Sequence, residues 1–584
     1  MFALTAVAGC AAPDRDGSGP SNRDRAVEAP DPSGGSSSRA PTPAFVDRAS
    51  KTGLDFTYFN GMSGQLYMVE MVGGGAALFD YDGDGDLDVY LVQGRMLPAE
   101  RPLGEYLLPV PEPGARDRLF RNDLDAARGP ASLRFVDVTE AALPPESDYG
   151  QGVATGDFDN DGHVDLVVTN YGENRLLHNR GDGRFESVPL PDRGVWSTSA
   201  SLLDTDGDGW LDLFIANYLD ATLENHFQCT APSGLVDYCG PLSFEPLADQ
   251  LLRNVGGEGW EDVSQRSGVS SSPGAALGVV ALDVEGDGDL DVYVANDQME
   301  NFLWINDGSG AFTNEARYRG CALSNEGRPQ ASMGVEAADV DGDGDRDLLL
   351  SHLTNETNTL YLDHGGGLFV DGTPGSGLGP PSLPYTSFGT ALLDYDMDGG
   401  LDFLVVSGTV RILEDQLAAG EPLPLRQLDQ LFRNVGDGAF VEVIAEAGDV
   451  RAEARVGRGL ATGDVDNDGD PDAVVINNGA PLRLLVNQGE PGTAWIGVRA
   501  VEHGRDALGA AVRLETVKGR RLWRWVQADG SYLSARDPRV SFGLGSGDAV
   551  GRLVVVWPDG SEEAWLGLAP GRYHTLRRGE GNAP

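Results

Sequence analysis

The string DYDGDGDLD, running from Asp80 to Asp88, puts a carboxylate at every odd position around a glycine at position 6. Acids spaced in this way on a turn are oxygen donors for a cation. The pattern returns as DFDNDGHVD from Asp157, DTDGDGWLD from Asp204, DVEGDGDLD from Asp283, DVDGDGDRD from Asp339, DYDMDGGLD from Asp394 and DVDNDGDPD from Asp464. Self-similarity of this kind is a repeat architecture. About a third of the 91 acidic residues fall inside these loops, a crowding that needs a compensating charge. Hard oxygen donors on a flexible loop favour calcium over magnesium, which demands stricter geometry, and over zinc, which prefers His and Cys.

The predicted side-chain donors are positions 1, 3, 5 and 9. They are Asp80, Asp82, Asp84 and Asp88; Asp157, Asp159, Asp161 and Asp165; Asp204, Asp206, Asp208 and Asp212; and Asp283, Glu285, Asp287 and Asp291. The series continues with Asp339, Asp341, Asp343 and Asp347; Asp394, Asp396, Asp398 and Asp402; and Asp464, Asp466, Asp468 and Asp472. Position 7 varies among Asp86, His163, Trp210, Asp289, Asp345, Gly400 and Asp470, so its shared contribution is a backbone carbonyl. Glu285 and Met397 depart from the pattern, and lower occupancy is expected in those two loops. An EF-hand loop ends in Glu at position 12. Here that position holds Leu91, Val168, Ile215, Val294, Leu350, Val405 and Val475, which excludes it.

The elements that position these loops are strands. LDVYLVQG, VDLVVTNYG and LDLFIANY follow them, and GGGAALFD, GQGVATGD, ALGVVALD and SFGTALLD precede them. Such apolar, β-branched runs read as buried strands. A second signature, as in LLHNRGDGRFESV, LLRNVGGEGWEDV and LFRNVGDGAFVEV, reads as a hairpin with an aromatic after the turn: Phe135, Phe185, Trp260, Phe312, Phe369, Phe440 and Trp495. Two strands plus a hairpin give a four-stranded unit of about 65 residues, and seven units predict an all-β, seven-bladed β-propeller over 42–494. The stretch PAFVDRASKTGLDFTYFNG reads as half a hairpin with no partner in front of it, available to complete the last blade.

The loops and hairpins resemble the FG-GAP/VCBS repeats of integrin α-type propellers, and the chain as a whole is similar to the cartilage acidic protein family. The resemblance implies calcium in up to seven loops. After the propeller, 495–580 holds 13 basic against 10 acidic residues and alternating segments such as RRLWRWVQA and RLVVVWPDG, which predict a small β-sandwich or barrel. GRDALGAAVRL, DGSYLSARDPRVSFGLG and VVWPDG resemble the ASPIC/UnbV domain. Its Trp523, Arg524, Trp525 and Tyr532 offer either an exposed aromatic–basic patch or ordinary core.

A net charge of −48, from 43 basic and 91 acidic residues, repels nucleic-acid phosphates and anionic lipid alike. No run approaches the roughly 20 apolar residues of a membrane span. Residues 1–10 read MFALTAVAGC, in which Val7 to Cys10 resemble a lipobox with Cys10 as lipidation site, although no basic n-region precedes them. Residues 11–41 have the composition of a disordered tether. Cys229 and Cys239 are predicted to form a disulfide. Catalytic motifs such as GxSxG and HExxH are absent from the sequence, and His163 and His178 are read as solvent-facing. The reading is therefore an extracytoplasmic module, a cell-surface or outer-membrane lipoprotein or a secreted protein. It binds an extracellular protein or glycan, and membrane contact is through the anchor alone. The alternatives are a calcium-dependent hydrolase at the propeller mouth and a purely structural spacer.

Overall fold

The computed structural model describes residues 44–97, 108–110, 114–145, 148–489 and 492–584. The expected signal segment, its Cys10 and the tether lie outside the described residues.

Seven successive antiparallel sheets follow the repeats, each beginning with a strand of small and apolar residues that leads into an acidic loop. These first strands are Ala76–Phe79, Gly150–Gly156, Ser197–Leu203, Ala276–Leu282, Val335–Ala338, Ser387–Leu393 and Gly457–Gly463. Each touches the next, and the last touches the first, so the circuit closes. Small side chains are needed there. A Cβ on Gly459 would lie 2.2 Å from the Gly74 carbonyl oxygen. Seven apolar clusters fill the seams, one between each pair of neighbouring sheets. This is the packing expected of radially repeated sheets, which leave only short edges.

Closure is made by the chain's beginning. Phe45–Asp47 pairs antiparallel with Arg483–Asn487 as the outer strand of the seventh sheet. The orphan half-hairpin thus does what its sequence predicts. One expectation is corrected here: the aromatic of the seventh unit is Phe45, paired with Asn487 as Phe135 is with Asn122 and Phe440 with Asn434. Trp495 instead opens the first strand of the C-terminal sheets, Trp495–Glu502.

Those C-terminal sheets form a two-layer sandwich over a shared apolar core that includes Ile496, Val512, Phe542 and Trp557. One sheet has the order Arg521–Trp525, Ala511–Thr516, Val550–Val556 and Glu562–Leu566; the other centres on Trp495–Glu502. Tyr573–Arg577 pairs with that central strand in parallel. Propeller and sandwich belong to one compact unit spanning Thr42–Pro584. Cys229 and Cys239 are joined, and Cys321 is free and buried.

A segment between the two halves of the sandwich, 527–537, enters the middle of the ring and bonds to all seven first strands. Ala535 N–H donates to Ala76 O (2.9 Å), and Leu533 O accepts from Val153 (3.1 Å) while its N–H donates to Ser199 Oγ (3.2 Å). Gly530 donates to Val279 O (3.1 Å), Ser531 to Val335 O (2.7 Å) and Asp537 to Thr462 O (3.0 Å), while Ser531 Oγ accepts from Thr390 (3.2 Å). Tyr532 is fully buried among Met71, Val72, Trp196 and Phe388, its hydroxyl donating to Val72 O at 2.9 Å.

Candidate metal centres

Each acidic turn is first shaped by backbone donors. Asp80 Oδ1 accepts from Gly83 (2.8 Å) and Asp84 (3.1 Å), and Oδ2 accepts from Gly85 (3.0 Å). In every loop the position-1 carboxylate likewise accepts the N–H of the position-6 glycine. The position-5 carboxylate accepts the N–H of position 7, from Asp86, His163, Trp210, Asp289, Asp345, Gly400 and Asp470 in turn. Position 6 has φ between 88° and 104°, a region open chiefly to glycine. Position 4 is left-handed too, which explains its Gly or Asn. Met397 takes φ 57° there, buried, with its carbonyl held by Gly545 N–H at 2.9 Å.

Position 9 has a structural duty that spacing alone did not disclose. In every loop one carboxylate oxygen accepts the N–H of position 2 and the other accepts an N–H from the hairpin strand, at 2.7–3.2 Å. Asp88, Asp165, Asp212, Asp291, Asp347, Asp402 and Asp472 are all buried. Any ion must use their second lone pairs.

The hairpin residue that donates is Asn122, Asn179, Asn254, Asn306, Asn434 or Asn487, and its side-chain amide crosses the seam. Each Nδ2 donates to the position-2 carbonyl of the preceding loop at 2.8–2.9 Å: Val465, Tyr81, Phe158, Thr205, Val340 and Tyr395 respectively. The sequence displayed these asparagines at a fixed place, where they read as turn residues. They are bolts between sheets, each worth about 1 kcal/mol. The fifth sheet has Asp363 instead, which cannot donate.

The remaining donors converge. Single carboxylate oxygens of Asp80, Asp82 and Asp88 lie within 4.8 Å of one another, as do those of Asp157, Asp159 and Asp165, of Asp204, Asp206 and Asp208, and of Asp339, Asp341 and Asp347. Five buried oxygens, on Asp206, Asp394, Asp396, Asp466 and Asp470, have no hydrogen-bond donor. Burial, assisted by neighbouring carboxylates, pushes Asp157 and Asp339 up to about 6, Asp212 to about 7 and Asp291 and Asp347 to about 8. All-oxygen donor sets, unpartnered lone pairs and mutual repulsion fit a hard divalent cation such as calcium.

Four loops also meet a basic side chain. His178 Nε2 stands 3.0 Å from Asp159 and 3.7 Å from Asp161, not turned to solvent as its hairpin position indicated. Arg253 pairs with Asp206 at 3.1 Å, Arg319 with Glu285, and Arg524 approaches Asp394 at 4.0 Å.

The sandwich sits on this acidic face and reaches all seven loops. Arg539 donates to Gly85 O (3.1 Å), Arg505 to Asn160 Oδ1 (2.8 Å) and Gly209 O (3.3 Å), Arg520 to Asp398 O (2.9 Å) and Arg524 to Gly399 O (3.2 Å). Pro558, Trp523 and Trp495 pack against Gly288, Gly344 and Gly469. The candidate patch of Trp523, Arg524, Trp525 and Tyr532 is therefore not a free surface. Trp523 and Arg524 face the loops, Trp525 lies 5.2 Å from the guanidinium of buried Arg346, and Tyr532 fills the ring's centre.

Residues 157–215, 283–350 and 339–405 match the FG-GAP-like repeat, and 500–583 match the family ASPIC and UnbV. The chain carries FG-GAP-like repeats and an ASPIC/UnbV domain. Cartilage acidic protein 1 of Mus musculus is 26% identical over 502 residues, 74% of either chain, and that of Homo sapiens is 26% identical over 74% of this chain and 73% of its own. Among solved structures, an Agrocybe aegerita lectin described as recognising non-reducing terminal N-acetylglucosamine covers 64% of this chain and 88% of its own at 16% identity, with a TM-score of 0.36. YCF48 bound to D1 peptide covers 71% and 93% at 9% identity, with a TM-score of 0.38. The matched FG-GAP-like segments include the second to sixth acidic loops, and the ASPIC/UnbV domain supplies both the central segment and the arginines on the loops.

Proposed function

We propose that the protein is an extracytoplasmic, calcium-dependent binding or scaffolding module whose ASPIC/UnbV domain is held on the ring's ion-binding face. The observation that carries this is the convergence of repeated carboxylates, several with buried unpartnered oxygens, on one side of the ring. Extracellular calcium is millimolar, and loops of this affinity class, about 10⁻⁴ to 10⁻³ M, fill there. A protein or glycan partner is then recognised on the opposite rim and outer edges, because sandwich and central segment cover the loop face.

Bound calcium would be held by positions 1, 3, 5 and 9 and would supply positive charge where the chain supplies only negative. The chain's own residues do the rest: backbone N–H groups orient position 1, and the position-9 brackets hold each loop to its hairpin. Equilibrium dialysis against calcium, paired with melting in EGTA, tests the reading. Uptake of several ions and a melting point lowered by chelation are expected. No uptake, with melting unchanged, defeats it.

A further inference from the structure

The seven loops share a pattern but not an environment, and the seventh differs most. Asp464, Asp466, Asp470 and Asp472 are all at least nine-tenths buried, at 3%, 5%, 7% and 0% exposure. In the first loop, by contrast, Asp82 and Asp84 are exposed and water screens them. Asp466 Oδ1 and Asp470 Oδ1 are buried with no donor. Among the described residues no Arg, Lys or His lies within ion-pair distance of any seventh-loop carboxylate, whereas His178, Arg253, Arg319 and Arg524 serve loops two, three, four and six.

The basic groups nearby are committed elsewhere or stand off. Arg539 pairs with Asp537 at 2.8 Å, touches the loop at Asp464 O and Asn467 Oδ1, and its charge favours ionised Asp464, which leaves Asp466 and Asp470 without a counter-charge. Arg48 and Lys51 line the rim of an adjoining groove of about 810 Å³ without pairing to the loop. Uncompensated buried carboxylates are among the most costly arrangements in a fold, so this loop gains most from an incoming cation. The groove, lined by Asp466, Asp468 and Asp470, gives that cation a route in.

The seventh loop also joins three parts of the molecule. Its sheet holds the closing strand Phe45–Asp47. Tyr573 of the sandwich donates its hydroxyl to Asp464 Oδ2 at 3.0 Å, and the Trp495 ring covers Gly469 so closely that a Cβ there would lie 2.0 Å from it.

We propose that the loop Asp464–Asp472 is the first and tightest divalent-cation site of the chain, filling at least tenfold below the other loops. This rests on the reading of the loops as cation sites. Trp495 makes it visible, since an indole beside a bound terbium ion sensitises its emission. The experiment titrates the full-length protein with terbium, following tryptophan-sensitised emission and counting bound ion by equilibrium dialysis.

In the wild type, the first equivalent should bring a distinct emission phase. Trp495→Phe should remove that phase while dialysis still counts the ion, and Asp466→Asn with Asp470→Asn should remove the ion itself. A first equivalent of unchanged affinity in the double Asn variant overturns the proposal. Should that variant not fold, a first phase undiminished in Trp495→Phe overturns it equally. Wild-type protein that takes up neither terbium nor calcium would sink the calcium reading as a whole, a result distinct from ions bound in some other order.

Discussion

The fourth and seventh loops begin as nearly the same string, DVEGDGDLD and DVDNDGDPD, yet the protein balances their charge in opposite ways. At the fourth, the longer Glu285 meets Arg319, only 7% exposed in its side chain, which also pairs with Glu315 at 2.9 Å and donates to Gly366 O at 2.9 Å. At the seventh, position 3 is the shorter Asp466, and the hairpin residue beside the loop is Val486. One loop carries its own cation, and on the reading proposed above the other acquires one. A repeated motif therefore specifies the turn, whereas the residues outside it decide whether the turn needs an ion.

The largest consequence concerns the sign of a stability change. Asp466→Asn with Asp470→Asn deletes two buried negative charges. In EGTA the variant should be more stable than wild type by about 2–4 kcal/mol, because each uncompensated carboxylate costs on the order of a few kcal/mol. In millimolar calcium it should be less stable than wild type. Melting both proteins in both conditions gives two lines that cross. Parallel lines would mean that the seventh loop is no different from its neighbours.

Arg319→Met runs the comparison from the other side. Breaking a buried pair by removing one partner costs about 3–5 kcal/mol, and since Glu285 and Glu315 are each about a third exposed, a loss nearer 2 kcal/mol is expected in EGTA. Calcium should restore part of it, since the fourth loop would now need an ion as the seventh does. A loss that calcium leaves untouched would show that Arg319 acts by packing alone.

Much of this was legible in the sequence. Seven strings at regular spacing give the number of sheets, the runs on either side give their strands, and PAFVDRASK gives the closing strand. The paired state of Cys229 and Cys239 followed from their separation in an irregular segment. What was hidden has a common physical cause: it lies between units, where no periodicity reports. The Asn bolts act across a seam on the preceding loop, and 527–537 bonds to strands from 76 to 462. Trp495 falls at the distance expected of the seventh aromatic, whereas Phe45, the residue that fills that place, lies some 450 positions upstream of it.

The smallest effect tests the seam itself. Six asparagines hold six seams, and at the seam between the fourth and fifth sheets Asp363 stands where the seventh would be. It keeps the acceptor half of the role, taking N–H groups from Gly365 at 2.9 Å and Gly367 at 3.2 Å, but has no N–H for the Val284 carbonyl. Arg319, reaching Gly366 O and Glu285 across the same seam, occupies the space such a bond would strengthen. Asp363→Asn should supply the missing donor and remove a carboxylate, buried near Asp345, whose proton affinity burial has already raised. A gain of about 0.5–1 kcal/mol is expected in EGTA, the net worth of one neutral hydrogen bond. The gain should grow in the Arg319→Met background, where no guanidinium bridges the seam. An equal gain in both backgrounds would show that bolt and arginine act independently, and that Arg319 compensates for the charge of the fourth loop but not for its lost asparagine.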